Sequence, residues 1–187
     1  MFQSLIVLNS GNKGKIIQMA KNVSVELLEE TRSLHDILET CRDACKMIGI
    51  SDENTWLDLE INGYLVRYKT RDELYQNLPP YRKTVWKFYD LYGNLITLPP
   101  DMMDLFGKST VYHPVQELES QSQIIVENKF LDKFNKFIAA HGMDQVSKSL
   151  RIHEARISKD EIKQVLDGIK KRIQELLDMI ISLLEVE

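Results

Sequence analysis

Cysteine is scarce in this chain. Two thiols in 187 residues exclude the disulfide framework of a small secreted scaffold and suit a reducing cytoplasm, the expected location. Proline and glycine are also few, at 5 and 8, which excludes collagen-like and low-complexity chains. No apolar run approaches the roughly 20 residues of a membrane-spanning helix. The run near the N-terminus, Leu5 to Leu8, also lacks the basic start and small-residue cleavage site of an export signal, so no membrane is expected. Positive charge is not in excess. A net charge of -4 provides no global basic field for nucleic acid or an anionic surface. What is present is ordinary globular composition, 43% hydrophobic and 28% charged. That length buries a sizeable core, and a single domain over 1–187 is expected.

The chain is organised around Ser51 to Arg82. Its first part reads as a short helix, with Ser51 or Asp52 as N-cap and Asn62-Gly63 as a left-handed stop. Trp56 and Glu60 share one face, four residues apart. Tyr64 follows the stop and can fold back on the last turn. Leu78-Pro79-Pro80-Tyr81-Arg82 predicts an extended exit, because proline disfavours helix for itself and its predecessor.

Upstream, Ser10 to Lys15 (SGNKGK) invites a phosphate-loop reading. Asn9 and Ile16 stand where that loop needs a glycine and a hydroxyl, so a flexible turn is expected. Ile16, Met19, Ala20, Val23, Leu27 and, at the margin, Leu28 then form a helical stripe. A second helix starts at Ser33 and ends at Gly49, with Leu34, Ile37, Leu38, Cys41, Ala44, Cys45 and Ile48 inward. Cys41 and Cys45 lie one turn apart. Tetrahedral zinc needs two further ligands that the sequence does not supply, so both are read as core residues and no metal or cofactor is expected.

Downstream, Lys83 to Tyr89 predicts a strand, Tyr92-Gly93-Asn94 a turn, and Leu95 to Leu98 a return strand. A hairpin alone is marginal, so it should lie on the helices or gain a third strand. Val85, Phe88 and Leu95 are expected inward, and Trp86 and Tyr89 on the other face, with burial favoured over a binding surface. Asp101 to Phe106 is read as one helical turn, Val111 to Gln116 as extended, and Glu117 to Gln123 is left unassigned. Asn128 should cap a helix over Lys129 to Ala140 whose stripe is Phe130, Leu131, Phe134, Phe137 and Ile138. Leu150 to Ile157 alternates as a half-buried strand. Its His153-Glu154 pair opens a zinc-protease motif, but Ile157 replaces the second histidine.

The C-terminal segment carries the strongest helical signal. Ser158 and Glu161 form a capping box, with Ile157 and Ile162 as a staple. The stripe runs from Ile162 to Leu184, and a helix over Lys159 to Val186 spans about 40 Å. So long a helix is expected to bend near Gly168 or to project. In the second case Ile173, Leu176, Leu177, Ile180, Ile181 and Leu184 become a self-association face. Lys170-Lys171-Arg172 is read as a solvated run. The expected fold is α+β and predominantly α: a helical bundle (10–64), a β-containing middle (65–157) with a small antiparallel hairpin and room for a third strand, and a long C-terminal helix (158–187).

The string Trp56-Leu57-Asp58-Leu59-Glu60-Ile61-Asn62-Gly63-Tyr64, followed by Leu78-Pro79-Pro80-Tyr81-Arg82, resembles the signature of the AbiTii domain family. Ile61 stands where the family has leucine. The helix from Ser33 to Gly49 and the segment Ile157 to Leu177 are also similar to it, with Lys170 in place of an arginine. The resemblance implies a bacterial abortive-infection protein, and no catalytic residues come with it. The motif residues Trp56, Glu60, Asn62, Gly63, Tyr64, Pro79, Tyr81 and Arg82 look architectural, with Glu60 and Arg82 able to pair. The function expected is a non-enzymatic sensing, interaction or oligomerisation module with a protein partner or a second copy. A toxin enzyme such as a nuclease is the alternative. Its scattered candidates are His113, His141, His153 and Glu154, and no arginine has a histidine five residues on. A nucleic-acid-binding regulator is a third reading, disfavoured by the acidic balance.

Overall fold

The structure is a computed structural model, and it describes residues 10–126, 128–141 and 151–185. The expectations for Leu5 to Leu8, and for Asn9, Leu150 and Val186, lie outside the described residues.

Three helices open the chain: α1 (Ser10–Glu29), α2 (Leu34–Ile48) and α3 (Ser51–Asn62). The local chemistry of α2 is as its sequence predicts. The Ser33 hydroxyl accepts from the Asp36 amide, Gly49 closes the helix at φ 84°, and all seven inward residues are buried. Two boundaries differ. The SGNKGK stretch is the first turn and a half of α1 rather than a flexible turn, since tertiary contacts override weak propensity. Helix α3 has Ile50 as N-cap and no side-chain cap.

A 3-10 turn (Tyr64–Val66) leads to the short α4 (Arg71–Asn77), closed by a complete Thr70–Glu73 capping box. Pro79 is extended, but Pro80–Arg82 then forms a second 3-10 turn instead of a continuous extended exit. The expected strand from Lys83 to Tyr89 is two strands, β1 (Lys83–Val85) and β2 (Lys87–Tyr89), in different sheets. The break is Trp86. Its amide donates to the Gly107 carbonyl at 2.8 Å, and its ring packs on both main apolar clusters. Phe88 points inward, whereas Val85 and Leu95 are exposed, contrary to expectation.

The hairpin partner β3 (Leu95–Ile96) is followed by the one-turn α5 (Pro100–Met102), a π-turn (Met103–Gly107) and β4 (Lys108–Thr110), which pairs with β1. Residues 115–120, expected to be extended or unassigned, form α6 (Val115–Ser120), with Val115 and Leu118 buried three apart. Then come β5 (Ile124–Ile125), α7 (Asn128–His141), β6 (Glu154–Ile157) and α8 (Lys159–Glu185). The hairpin gains its third strand and a fourth, in the antiparallel order β3-β2-β6-β5.

Two main packing units result, and a third, small cluster gathers Leu59, Tyr64, Leu74 and Leu78. The larger joins α1, α2, α3, α6 and α8. The smaller seals the inner face of the four-stranded sheet with α7, through Phe88, Ala155, Leu131, Phe134 and Ile138.

Helix α8 runs unbroken for 27 residues. Its stripe does not project. Ile173, Leu176, Leu177, Ile180 and Leu184 are buried, and Ile181 is half-buried. Helix α1 covers them, with Ile16, Ala20, Val23 and Leu27 also buried and Leu28 turned outward. The proposed self-association face is therefore occupied within the chain. Burial of aliphatic side chains at about 1.5–3 kcal/mol each dominates this seam. The half-exposed Lys21–Glu185 pair, 3.0 Å apart, adds about 0–1 kcal/mol.

Candidate functional site

Four motif residues, Trp56, Tyr64, Tyr81 and Arg82, converge on the buried Glu60 carboxylate, whereas exposed Asn62 donates to the Asp58 carbonyl at 2.9 Å within α3. Glu60 and Arg82 are each fully buried. Arg82 Nε donates to Glu60 Oε2 at 3.0 Å, and Nη2 reaches the same oxygen. Nη1 donates to the carbonyls of Val111 and His113 at 2.6 and 2.9 Å. Glu60 Oε1 accepts from Tyr64 OH at 2.7 Å and Tyr81 OH at 2.9 Å. The Trp56 indole N–H donates to Tyr81 OH at 2.8 Å and leans on Glu60 Oε1 at 3.1 Å. A carboxylate has about four lone-pair positions, and these donors use them.

The electrostatics follow from burial. Desolvation pulls the Arg82 guanidinium down, but the Glu60 carboxylate more than offsets this and holds its pKa above the ordinary value. Burial, aided by the Glu60 charge, pushes both tyrosine hydroxyls upward, so they stay protonated donors. Such a charge-assisted network fixes geometry as well as contributing energy.

Two glycines make room for it. Gly63 sits at φ 82°, ψ 156°, a region essentially reserved for glycine. A Cβ there would lie 2.9 Å from Pro114 Cδ. This close approach lets the Tyr64 amide donate to the Tyr112 carbonyl at 2.9 Å. Gly63→Ala is expected to cost on the order of 1–3 kcal/mol, read as a lower urea midpoint. The second is Gly168 in α8. It faces Tyr81, whose Cβ would stand 2.4 Å from an added Cβ. It is not a bend but a seat. One turn further on, Arg172 lies over the Trp56 ring at 4.5 Å and pairs with Glu53 at 3.3 Å. So Arg172 of the charged run belongs to the knot's outer rim, while Lys171 stays largely exposed.

The enzymatic candidates are dispersed. His113 precedes α6, exposed His141 ends α7, and exposed His153 precedes β6. Clefts of about 390, 400 and 250 Å³ exist, and none is lined by Glu60, Arg82, Glu154 or any of these three histidines. Cys41 and Cys45 are free and buried, with thiols pushed up to about 12 by desolvation. Among the described residues no three His, Cys, Asp or Glu side chains gather as a metal site. No helix there is long and apolar enough to cross a membrane.

His113 carries a pH prediction. Burial lowers its pKa; Glu117 opposes this and the Arg82 charge adds to it. Its Nδ1 is buried without a hydrogen-bond partner. The unfolded chain therefore takes up the proton first as pH falls. The stability this group contributes is full above about pH 6.5 and is lost as pH drops toward the depressed folded value. His113→Gln should flatten that slope in urea titrations from pH 7.5 to 5.

The sheet presents a partly exposed surface. The outer face of the four-stranded sheet carries Leu95, Tyr89 and Glu154 in one row, and Lys87, Arg156 and Ile125 in the next. Arg156 lies 4.0 Å from the Tyr89 ring centroid. Leu95 and Ile125 are 61% and 52% exposed. Beside it, the hairpin turn holds out Leu91 and Tyr92, fixed by Asp90, whose carboxylate accepts from the Tyr92 and Asn94 amides at 2.8 Å. Tyr89 was expected on the outer face from its sequence position. Arg156 and Glu154 were missed as its neighbours, although the alternation of 150–157 already places them on one side.

The fold thus defines a class: a helical frame closed round a buried ion pair, carrying a small sheet with one partly exposed face among the described residues. The model of the AbiTii family matches residues 18–185, which include every motif segment above. The chain belongs to the AbiTii family, an abortive-infection domain. No curated protein and no solved structure matches it.

Proposed function

We propose that the chain is a non-enzymatic interaction module of an abortive-infection system, acting in the cytoplasm through an exposed protein-binding surface. One observation carries this reading: the outer sheet face exposes Leu95 and Ile125, leaves Tyr89 and Arg156 half-buried, and is built of residue types that anchor protein interfaces. Tyr89 and Arg156 stack at its centre, and aromatic and arginine side chains dominate binding hot spots. Leu95 and Ile125 add apolar area at its two edges. The polar groups of Glu60, Tyr64, Tyr81 and Arg82, by contrast, are engaged with one another inside the fold.

The test is protection of a bacterial host against a phage panel. Cells expressing the chain should plate phage less efficiently than cells without it. Tyr89→Ser with Leu95→Ser should abolish protection while circular dichroism and the urea midpoint stay near those of the parent. Alanine at His113, His141 and His153 should leave protection intact. Loss of protection with the histidine variants, together with cleavage of RNA or DNA by the pure protein, would overturn the proposal.

A further inference from the structure

We infer that the outer face of the four-stranded sheet docks a second copy of the same chain, face to face about a two-fold axis running across the strands. This inference rests on the reading of that face as the interaction surface, and it names the partner.

Charge complementarity, set by strand register, selects this partner. In strand β2, Tyr89 and Lys87 point outward, two residues apart. In β6, Glu154 lies opposite Tyr89, and Arg156 lies opposite Lys87. Each of these two strands therefore presents one residue in each of two rows. A two-fold axis lying in the face and running across the strands exchanges the rows and keeps the strands. It sets Glu154 over Arg156 of the second copy, and Tyr89 over Lys87 of the second copy. Every such contact occurs twice. The first is an opposite-charge pair and the second a cation–π pair. An axis along the strands would instead put Lys87 over Arg156, two like charges.

The charge balance selects a protein over a polyanion. Lys87 already has Glu161 at 3.3 Å, and Arg156 has Glu154 at 3.1 Å. The patch is therefore close to neutral, whereas a nucleic-acid face needs uncompensated cations. A near-neutral patch that maps onto itself with opposite signs suits an isologous contact. The Arg156–Glu154 pair is also about one-third exposed on each side chain, so both ends can be shared across the contact. The α1–α8 seam plays no part, since it is filled within the chain.

The test is sedimentation equilibrium on the full chain over a range of concentrations. The parent should form a dimer. Glu154→Arg and Arg156→Glu should each raise the dimer dissociation constant at least about tenfold, because each makes facing positions alike in sign. An equimolar mixture of the two variants should dimerise again, since each chain then faces its complement. The double variant E154R/R156E should also dimerise, because it keeps opposite signs across the contact. Restoration by mixing is not expected of a change that merely damages the fold. A monomeric parent, or a parent dimer indifferent to both single variants, would overturn the inference. Loss of phage protection by Tyr89→Ser with Leu95→Ser in a strictly monomeric parent would leave the interaction reading standing and sink only the second copy.

Discussion

Arg82→Ala is expected to lower folding stability by about 3–5 kcal/mol, because it leaves the buried Glu60 carboxyl group without its ionic partner. That is a large share of the roughly 5–15 kcal/mol that holds a typical domain together. Two buried carbonyls, of Val111 and His113, lose their guanidinium donor as well. Glu60→Ala should cost a similar amount by stranding the guanidinium and the two tyrosine hydroxyls. Replacing both residues by methionine removes both charges and roughly keeps the volume. Set against Glu60→Met and Arg82→Met alone, the double variant should therefore cost less than the sum of the singles, with a coupling of at least about 1–3 kcal/mol. Urea unfolding of the four proteins measures it. Additive losses would mean the pair is not the unit that the geometry describes.

Gly168→Ala should also destabilise, by up to about 2 kcal/mol net, against the direction that helix propensity gives. Alanine in place of glycine within a helix ordinarily gains about 1 kcal/mol. Here the new methyl would lie 2.4 Å from Tyr81 Cβ and 2.6 Å from Cγ. These atoms sit beside the backbone of a 3-10 turn and cannot swing away, so the turn or α8 must shift, at an overpacking cost. The shift also pulls Tyr81 OH from Trp56 and Glu60, so Trp56 fluorescence should change in the native state. Gly14→Ala is the control. Nothing lies within 4 Å of a Cβ at Gly14 in α1, and that variant should gain up to about 1 kcal/mol.

The parts of this fold legible in the sequence are those decided locally. The Ser33 cap, the Gly49 stop, the seven-residue face of α2 and the stripe of α8 depend on spacing and on one or two side chains. The motif from Trp56 to Arg82 announced its helix stop and the candidate pair. What stayed hidden depends on contacts between distant segments. Trp86 splits a seven-residue strand signal because its amide is claimed by Gly107. Val111 to Gln116 read as extended, yet Pro114 within it is the N-cap of α6, whose buried pair is only Val115 and Leu118. The α8 stripe looked unpartnered because nothing in its own sequence says that α1 lies along it. Gly168 read as a bend, since its reason is a tyrosine 87 positions earlier. The knot was half visible: Glu60 with Arg82 could be guessed, but not Tyr64, Tyr81 and Trp56 converging on one oxygen. The outer sheet face was the least visible, since its rows are written by pairing among four separated strands.

The central claim is that the family motif builds the frame while an exposed face does the work. The most direct measurement is the efficiency of plating of a phage panel on cells expressing the Glu60→Met, Arg82→Met double variant, at a temperature where the purified variant is folded by circular dichroism. The account predicts protection equal to that of the parent, because the outer sheet face is unchanged. A folded double variant that no longer protects would contradict it, and would move the chemistry into the knot.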